Sequence, residues 1–158
     1  MTDKLMNDMP KKWILAIDPG SDKVGFAVVN YDLSHGEIGI VYLSELHRLF
    51  KRMCNVPPKA APQAIVIGNG TAAAAVCRLY NSLEIDIKVQ FAEEKNTTYK
   101  ARALYFKDHP PTGFWRIVPI GLQMPPCPVD DYAALLIGEK YLTENKLVEQ
   151  AAAEAGKP

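Results

Sequence analysis

Cysteine is scarce: Cys54, Cys77 and Cys127 are the only three in 158 residues, with no C-x-x-C pair and no cysteine–histidine cluster at zinc spacing. That excludes a disulfide framework and a zinc ribbon, and it predicts reduced, packed thiols in a cytoplasmic protein. There is no excess of either charge, since 18 Lys and Arg balance 18 Asp and Glu. Any nucleic-acid-binding surface must therefore be a local patch rather than a global property. No apolar run approaches the roughly 20 residues that span a bilayer. The opening stretch MTDKLMNDMPKK has no hydrophobic h-region, so it reads as neither anchor nor secretory signal. No internal repeat is visible. None of His35, His47 and His109 lies beside a nucleophile elbow, which argues against a Ser- or Cys-based hydrolase.

What is present fits one α/β domain. Hydrophobic residues make up 48% and charged residues 23% of the chain, ordinary values for a globular protein with a real core. The expected layout is a flexible leader over 1–11, a domain over 12–144, and a helical extension or disordered tail over 145–158. An apolar run over 12–18 ends in Asp18, Pro19-Gly20 breaks it, and 24–30 is a second strand, so the two form a β-hairpin. A third strand is expected over 37–43. Ser44 is placed to cap a helix through Leu46, Leu49 and Phe50. The wholly apolar run 64–67 reads as a strand buried on both faces. Thr71 is placed to cap a helix over 72–83. A strand over 85–91, with Ile85, Ile87 and Val89 on one face, precedes a helix from Thr97 or Thr98 to Lys107. Six of the twelve prolines fall in 108–128, predicting a long loop with a short strand at 115–118. The last helix is expected over 130–142, with Asp130, Ala134, Ile137 and Tyr141 on one face.

Three acidic positions lie at the ends of elements that should be buried. Asp18 ends the first strand, Glu93 and Glu94 follow the fifth, and Asp130 and Asp131 open the last helix. Carboxylates gathered at one sheet end repel one another unless a cation neutralises them. Mg²⁺ suits such a place, since it takes one or two carboxylates and completes its shell with water and phosphate oxygens. Two such ions about 3.5–4 Å apart serve phosphodiester hydrolysis. Each residue also has a plainer reading: Asp18 before Pro-Gly as a turn former, and Asp131 as a helix cap. Chemistry alone does not separate Glu93 from Glu94.

The stretch DPGSDKVGFAV from Asp18 resembles the first motif of the RuvC and YqgF/RuvX nucleases. EEKNTT from Glu93 resembles the Asp-Glu-Arg-x-Thr-Thr motif of the YqgF/RuvX branch, and VDDYAALLI from Val129 resembles that branch's closing helix. The likeness covers most of 13–142, with the motifs in order. It implies a ribonuclease-H-like α/β fold: a mixed five-stranded sheet, antiparallel in its first three strands, flanked by helices. It implies Asp18, Glu94 and Asp130 as catalytic metal ligands for Mg²⁺ or Mn²⁺, with Asp131 as a further candidate. The implied reaction is hydrolysis of Holliday-junction DNA or precursor rRNA to a 5′-phosphate. Paired cuts in a junction would need a homodimer.

Lys23, Lys95, Thr97, Thr98, Lys100 and Arg102 are the expected substrate-binding residues. The last two lie in a basic stretch, 88–116, interleaved with Tyr99, Tyr105, Phe106, Phe114 and Trp115. These rings either stack on bases or pack in the core. The chain departs from the motifs where Lys23 and Lys95 replace arginines, exchanging a phosphate fork for a point charge. With the neutral net charge, these departures keep open a non-cleaving, resolvase-like domain that binds nucleic acid or protein. Asp18-Pro19-Gly20-Ser21 also resembles the first phosphate loop of actin-like ATPases. Such enzymes need a second domain and a second Asp-x-Gly turn, which the sequence lacks.

Overall fold

A computed structural model of the protein describes residues 11–93, 97–119, 122–123, 125 and 129–156. The chain opens with three antiparallel strands: β1 (Trp13–Asp18), β2 (Lys23–Asn30) and β3 (His35–Tyr42). There follow α1 (Leu46–Cys54), β4 (Ile65–Gly68), α2 (Ala73–Asn81), β5 (Val89–Ala92), α3 (Thr97–Asp108) and α4 (Asp130–Ala155). The five strands make one sheet in the order β3-β2-β1-β4-β5, with β4 parallel to both β1 and β5.

Alternation along the strands divides the core into two layers. Leu15, Ile17, Val24, Phe26, Ile65 and Ile67 face α1 and α2, where they meet Leu49, Phe50 and Val76. Ile14, Ala16, Ala27, Val29 and Val66 face α4, where they meet Ala134 and Ile137. Strands β1 and β4 are therefore buried on both sides, as their apolar runs predict. The α4 face is built from smaller side chains, and the helix comes in close. A Cβ added at Gly138 would stand 2.6 Å from Val29 Cγ2 and 3.0 Å from Ala16 Cβ.

Several local expectations change. Ser44 lies inside a 3-10 turn, Leu43–Glu45, and α1 starts from Glu45 with no side-chain cap bond. Nor does Thr71 cap α2, whose first free amide, on Ala73, is taken by the Gly70 carbonyl at 3.1 Å. The third strand begins two residues early, at His35. Residues 115–118 are not a strand; Gly113–Ile117 form a 3-10 turn entered at Gly113 with φ +60°. The closing helix runs on to Ala155 through Ala- and Glu-rich sequence of high helix propensity. Cys54 and Cys77 are free thiols pushed upward by burial, Cys54 to about 11. Cys127 and the leader residues 1–10 lie outside the described residues. No described helix is long and apolar enough to cross a membrane.

The fifth strand is shorter than expected, with a physical reason. Its ladder begins at Val89 opposite Ile65, because Gln63 and Ala64 already bond to β1 and Pro62 has no amide to give. Ile85, Ile87 and Val89 still pack on the first core layer. In place of ladder bonds, the Tyr80 hydroxyl donates to Ile87 O at 2.7 Å and accepts from Ile87 N at 3.2 Å. Tyr80→Phe leaves both backbone groups without that partner. It is expected to cost about 1–2 kcal/mol, read as a thermal-melt midpoint lowered by roughly 2–8 °C.

Candidate active site at the end of the central strands

Asp18, the last residue of β1, is paired directly with Gly25 of β2. Directly opposed residues project to the same face, with Cα atoms about 4.5–5.5 Å apart. For this pair it is the α4 face, since Ile14 and Ala16, four and two residues back, both pack there. A Cβ on Gly25 would fall 2.0 Å from the Asp130 carbonyl oxygen and 3.0 Å from the Asp130 Cβ. The missing side chain thus lets the first turn of α4 rest on the strand. Asp18 and Asp130, 112 positions apart in the sequence, both border this one glycine.

The electrostatics of the corner are unbalanced toward negative charge. Burial pushes the Asp130 carboxyl above its ordinary range, and the Asp131 carboxylate pushes it the same way. Lys23, at the head of β2, pulls it back down. A carboxylate desolvated beside another is a place where a cation is favoured, and two Asp side chains with water are an adequate donor set for Mg²⁺ or Mn²⁺. Among the described residues, no group of three or more His, Cys, Asp or Glu gathers at metal-holding distance. The third expected ligand, Glu94, lies outside the described residues, as does Lys95.

Glu93, the alternative to Glu94, is exposed and faces Lys140 of α4, whose Nζ lies 3.4 Å from its carbonyl and 3.9 Å from Oε2. Asp131 turns its Oδ1 onto the Tyr132 amide at 2.9 Å, an anion in a first helical turn where the dipole favours it. Its charge also pushes the Asp130 carboxyl upward. Helix α3 starts at Thr97 as expected; the side chains of Thr97, Thr98 and Tyr99 lie outside the described residues. Ala101 packs on Val129, Tyr132 and Ala133 at the start of α4. Lys100, exposed, and Arg102, half-buried, are the residues on either side of Ala101 in the sequence.

Of the interleaved aromatics whose side chains are described, two pack and two are exposed. Phe106 is buried and Tyr105 packs edge-on to Tyr132, with ring centroids 5.9 Å apart. Phe114 and Trp115 are exposed, at 72% and 57%, beside a cavity of about 500 Å³ lined by Tyr105, His109, Trp115 and Gln123.

Sequence reasoning missed three residues here. Gly25 stands in the quoted motif, and its spacing of seven from Asp18 was the available signal. Tyr132 donates to Asp108 Oδ2 at 3.1 Å, tying the end of α3 to the start of α4; burial first, and then that bond, push its phenol up to about 12. Tyr42, at the end of β3, has the Lys23 ammonium 5.7 Å from its ring centroid. No sequence signal marked either tyrosine.

No family model and no curated protein matches the chain. Solved structures do. RuvC of Thermus thermophilus in complex with a Holliday junction substrate superposes with a TM-score of 0.53 at 17% identity, covering 86% of this chain and 96% of that one. A second Thermus thermophilus RuvC structure gives 0.50 at 18%, covering 85% and 96%. The likeness shows the fold, a ribonuclease-H-like mixed five-stranded sheet flanked by helices. What the neighbours do is not carried over by fold alone.

Proposed function

We propose that this chain is a divalent-metal-dependent endonuclease of the RuvC type, which hydrolyses phosphodiester bonds in branched or otherwise structured nucleic acid. The observation that carries the reading is the meeting of Asp18 and Asp130 at Gly25. Glu94, two residues beyond the last residue of β5, is the third acid of this reading, and Asp131 supports Asp130. The neighbour solved with a Holliday junction and the order of motifs from Asp18 to Ile137 support it. The motifs around Glu93 and Val129 favour the YqgF/RuvX branch, which brings precursor rRNA in as a second substrate class.

Within this reading the roles of the chain's own residues follow from position. Asp18 and Asp130 would hold Mg²⁺ or Mn²⁺, which would supply charge neutralisation and Lewis-acid activation for phosphodiester hydrolysis. Lys23 limits the repulsion at Asp130 and offers an ammonium to a phosphate oxygen. The amides at the start of α3, with Thr97, Thr98 and Lys95 nearby in the chain, favour the next phosphate along the strand. Lys100 and Arg102 extend that positive flank. Paired cuts across a four-way junction require two copies of the site, so a homodimer acting in the cytoplasm belongs to the proposal.

The test is cleavage of a labelled four-way DNA junction and a structured RNA by the full chain, in Mg²⁺, in Mn²⁺ and in EDTA. Metal-dependent products ending in 5′-phosphate are expected, on one substrate class above the other. Binding without cutting in either metal would sink the enzymatic reading and leave the non-cleaving domain.

A further inference from the structure

Tyr42 is a large aromatic side chain left 51% exposed at the end of β3. Its backbone is held on two sides. It is paired with Lys23 across the β2–β3 ladder, and the next amide, of Leu43, bonds to the Asp22 carbonyl at 2.8 Å. Asp22 and Lys23 belong to the turn that follows Asp18. That turn is tight, for a Cβ on Gly20 would stand 2.1 Å from the Lys23 carbonyl oxygen. The Tyr42 backbone is thus fixed beside the carboxylate corner by main-chain bonds, whereas the surface of its ring is open. The exposed Phe114 and Trp115 sit on a 3-10 turn whose Trp115 carbonyl is bonded to Gln123 rather than, among the described residues, to the strands of the corner.

Lys23 joins the two features. Its ammonium lies 5.7 Å from the Tyr42 ring centroid, and two residues along the same face of β2 stands Gly25, on which Asp130 and the first turn of α4 rest. A cation on an aromatic ring holds that ring's orientation, and the open part of the ring stands at the rim of the acidic corner. We infer that Tyr42, braced by Lys23, is a stacking subsite for an unpaired nucleobase next to the phosphate being cut, an inference that rests on the nuclease reading above. A base inside a duplex has both faces covered by its neighbours, whereas one at a branch point, loop or end has a face to give, and an aromatic side chain takes it regardless of sequence. The subsite therefore selects for broken stacking, and it gives the corner a reason to prefer structured over continuous duplex substrates.

The experiment uses the full chain carrying Asp130→Asn, expected to bind without cutting, and a four-way DNA junction with 2-aminopurine at the branch point, against a matched linear duplex. Adding Tyr42→Ile, which keeps strand propensity, is expected to weaken junction binding about tenfold or more, to abolish the change in 2-aminopurine emission on binding, and to leave duplex binding unaltered. Tyr42→Phe is expected to behave as the parent. Equal junction affinity and an equal emission change for Tyr42→Ile overturn the inference, as does an equal loss on junction and duplex, which marks a general contact. Should Tyr42→Ile not fold, Tyr42→Trp adds an indole whose emission must fall on junction binding; unchanged emission overturns the inference. Failure of the parent to bind either substrate removes the inference together with the reading beneath it, whereas binding by the parent with an indifferent Tyr42→Ile removes the inference alone.

Discussion

Asp130→Asn is expected to lower metal-dependent cleavage by at least about a hundredfold, the upper range for loss of groups that merely support a metal ligand, and at the same time to make the protein more stable. The two effects share a cause. Burial and the Asp131 carboxylate raise the Asp130 carboxyl above its ordinary value in the folded state. The folded protein therefore binds that proton more tightly than the unfolded chain does, and ionisation above the folded pKa weakens the fold. An amide never ionises, so the variant escapes that cost at neutral pH. As pH falls below the ordinary carboxylate range, Asp130 is protonated in both states and the two proteins converge. Thermal melts in metal-free buffer at pH 7 and pH 3 read this directly: a higher midpoint for the variant at pH 7, and none at pH 3. Mn²⁺ should then raise the wild-type midpoint by mass action and leave the variant's unmoved. A variant that melts lower at pH 7 would show that Asp130 is a structural cap instead of a strained functional acid.

Gly25→Ala is the second large effect. The new methyl would meet the Asp130 carbonyl carbon and oxygen at 2.3 and 2.0 Å. Both are backbone atoms of a helix that is also packed through Ala134 and Ile137, so neither side yields easily. Overpacking ordinarily costs about 1–3 kcal/mol, and a clash between two backbones belongs at the top of that range. At about 3 kcal/mol the melt midpoint falls by roughly 6–12 °C. Whatever relaxation follows must lift the first turn of α4 from β2 and separate Asp130 from Asp18, so cleavage should fall more steeply than stability. Gly113→Ala is the control. Nothing lies within 4 Å of its added carbon, and only the φ of +60° opposes it, which costs about 1 kcal/mol. Equal unfolding midpoints for the two variants in urea would show that α4 does not rest on Gly25.

The sheet was readable because its signals are local. Apolar runs cut by Pro19-Gly20 and by the polar turn before Gly36 mark three consecutive strands, and short connections between them dictate antiparallel pairing. The apolar run at Ile65–Gly68 and the 3.6-residue spacing from Ala134 to Ile137 likewise name their environments without a partner in view. The errors fell where a competing bond decided the outcome. Ser44 and Thr71 are good caps by chemistry, yet a 3-10 turn and the Gly70 carbonyl took those positions. Residues 85–87 have strand-like alternation, yet Gln63 is taken by β1 and Pro62 has no amide to give, and Tyr80 supplies the substitute at Ile87.

By itself, the sequence determined which residues are apolar and at what period, where the chain must turn, and that acids stand at the ends of buried elements. These are properties of short stretches, set by side-chain volume, charge and the steric limits of Pro and Gly. Only the tertiary structure decided that Gly25 is the place where β2 and α4 touch, that Asp18 and Asp130 therefore share a corner, and that Tyr42 and Lys23 stand at its rim. Such contacts join residues far apart along the chain. They depend on register and helix approach, which are settled by the packing of the entire core and leave no mark on any single segment.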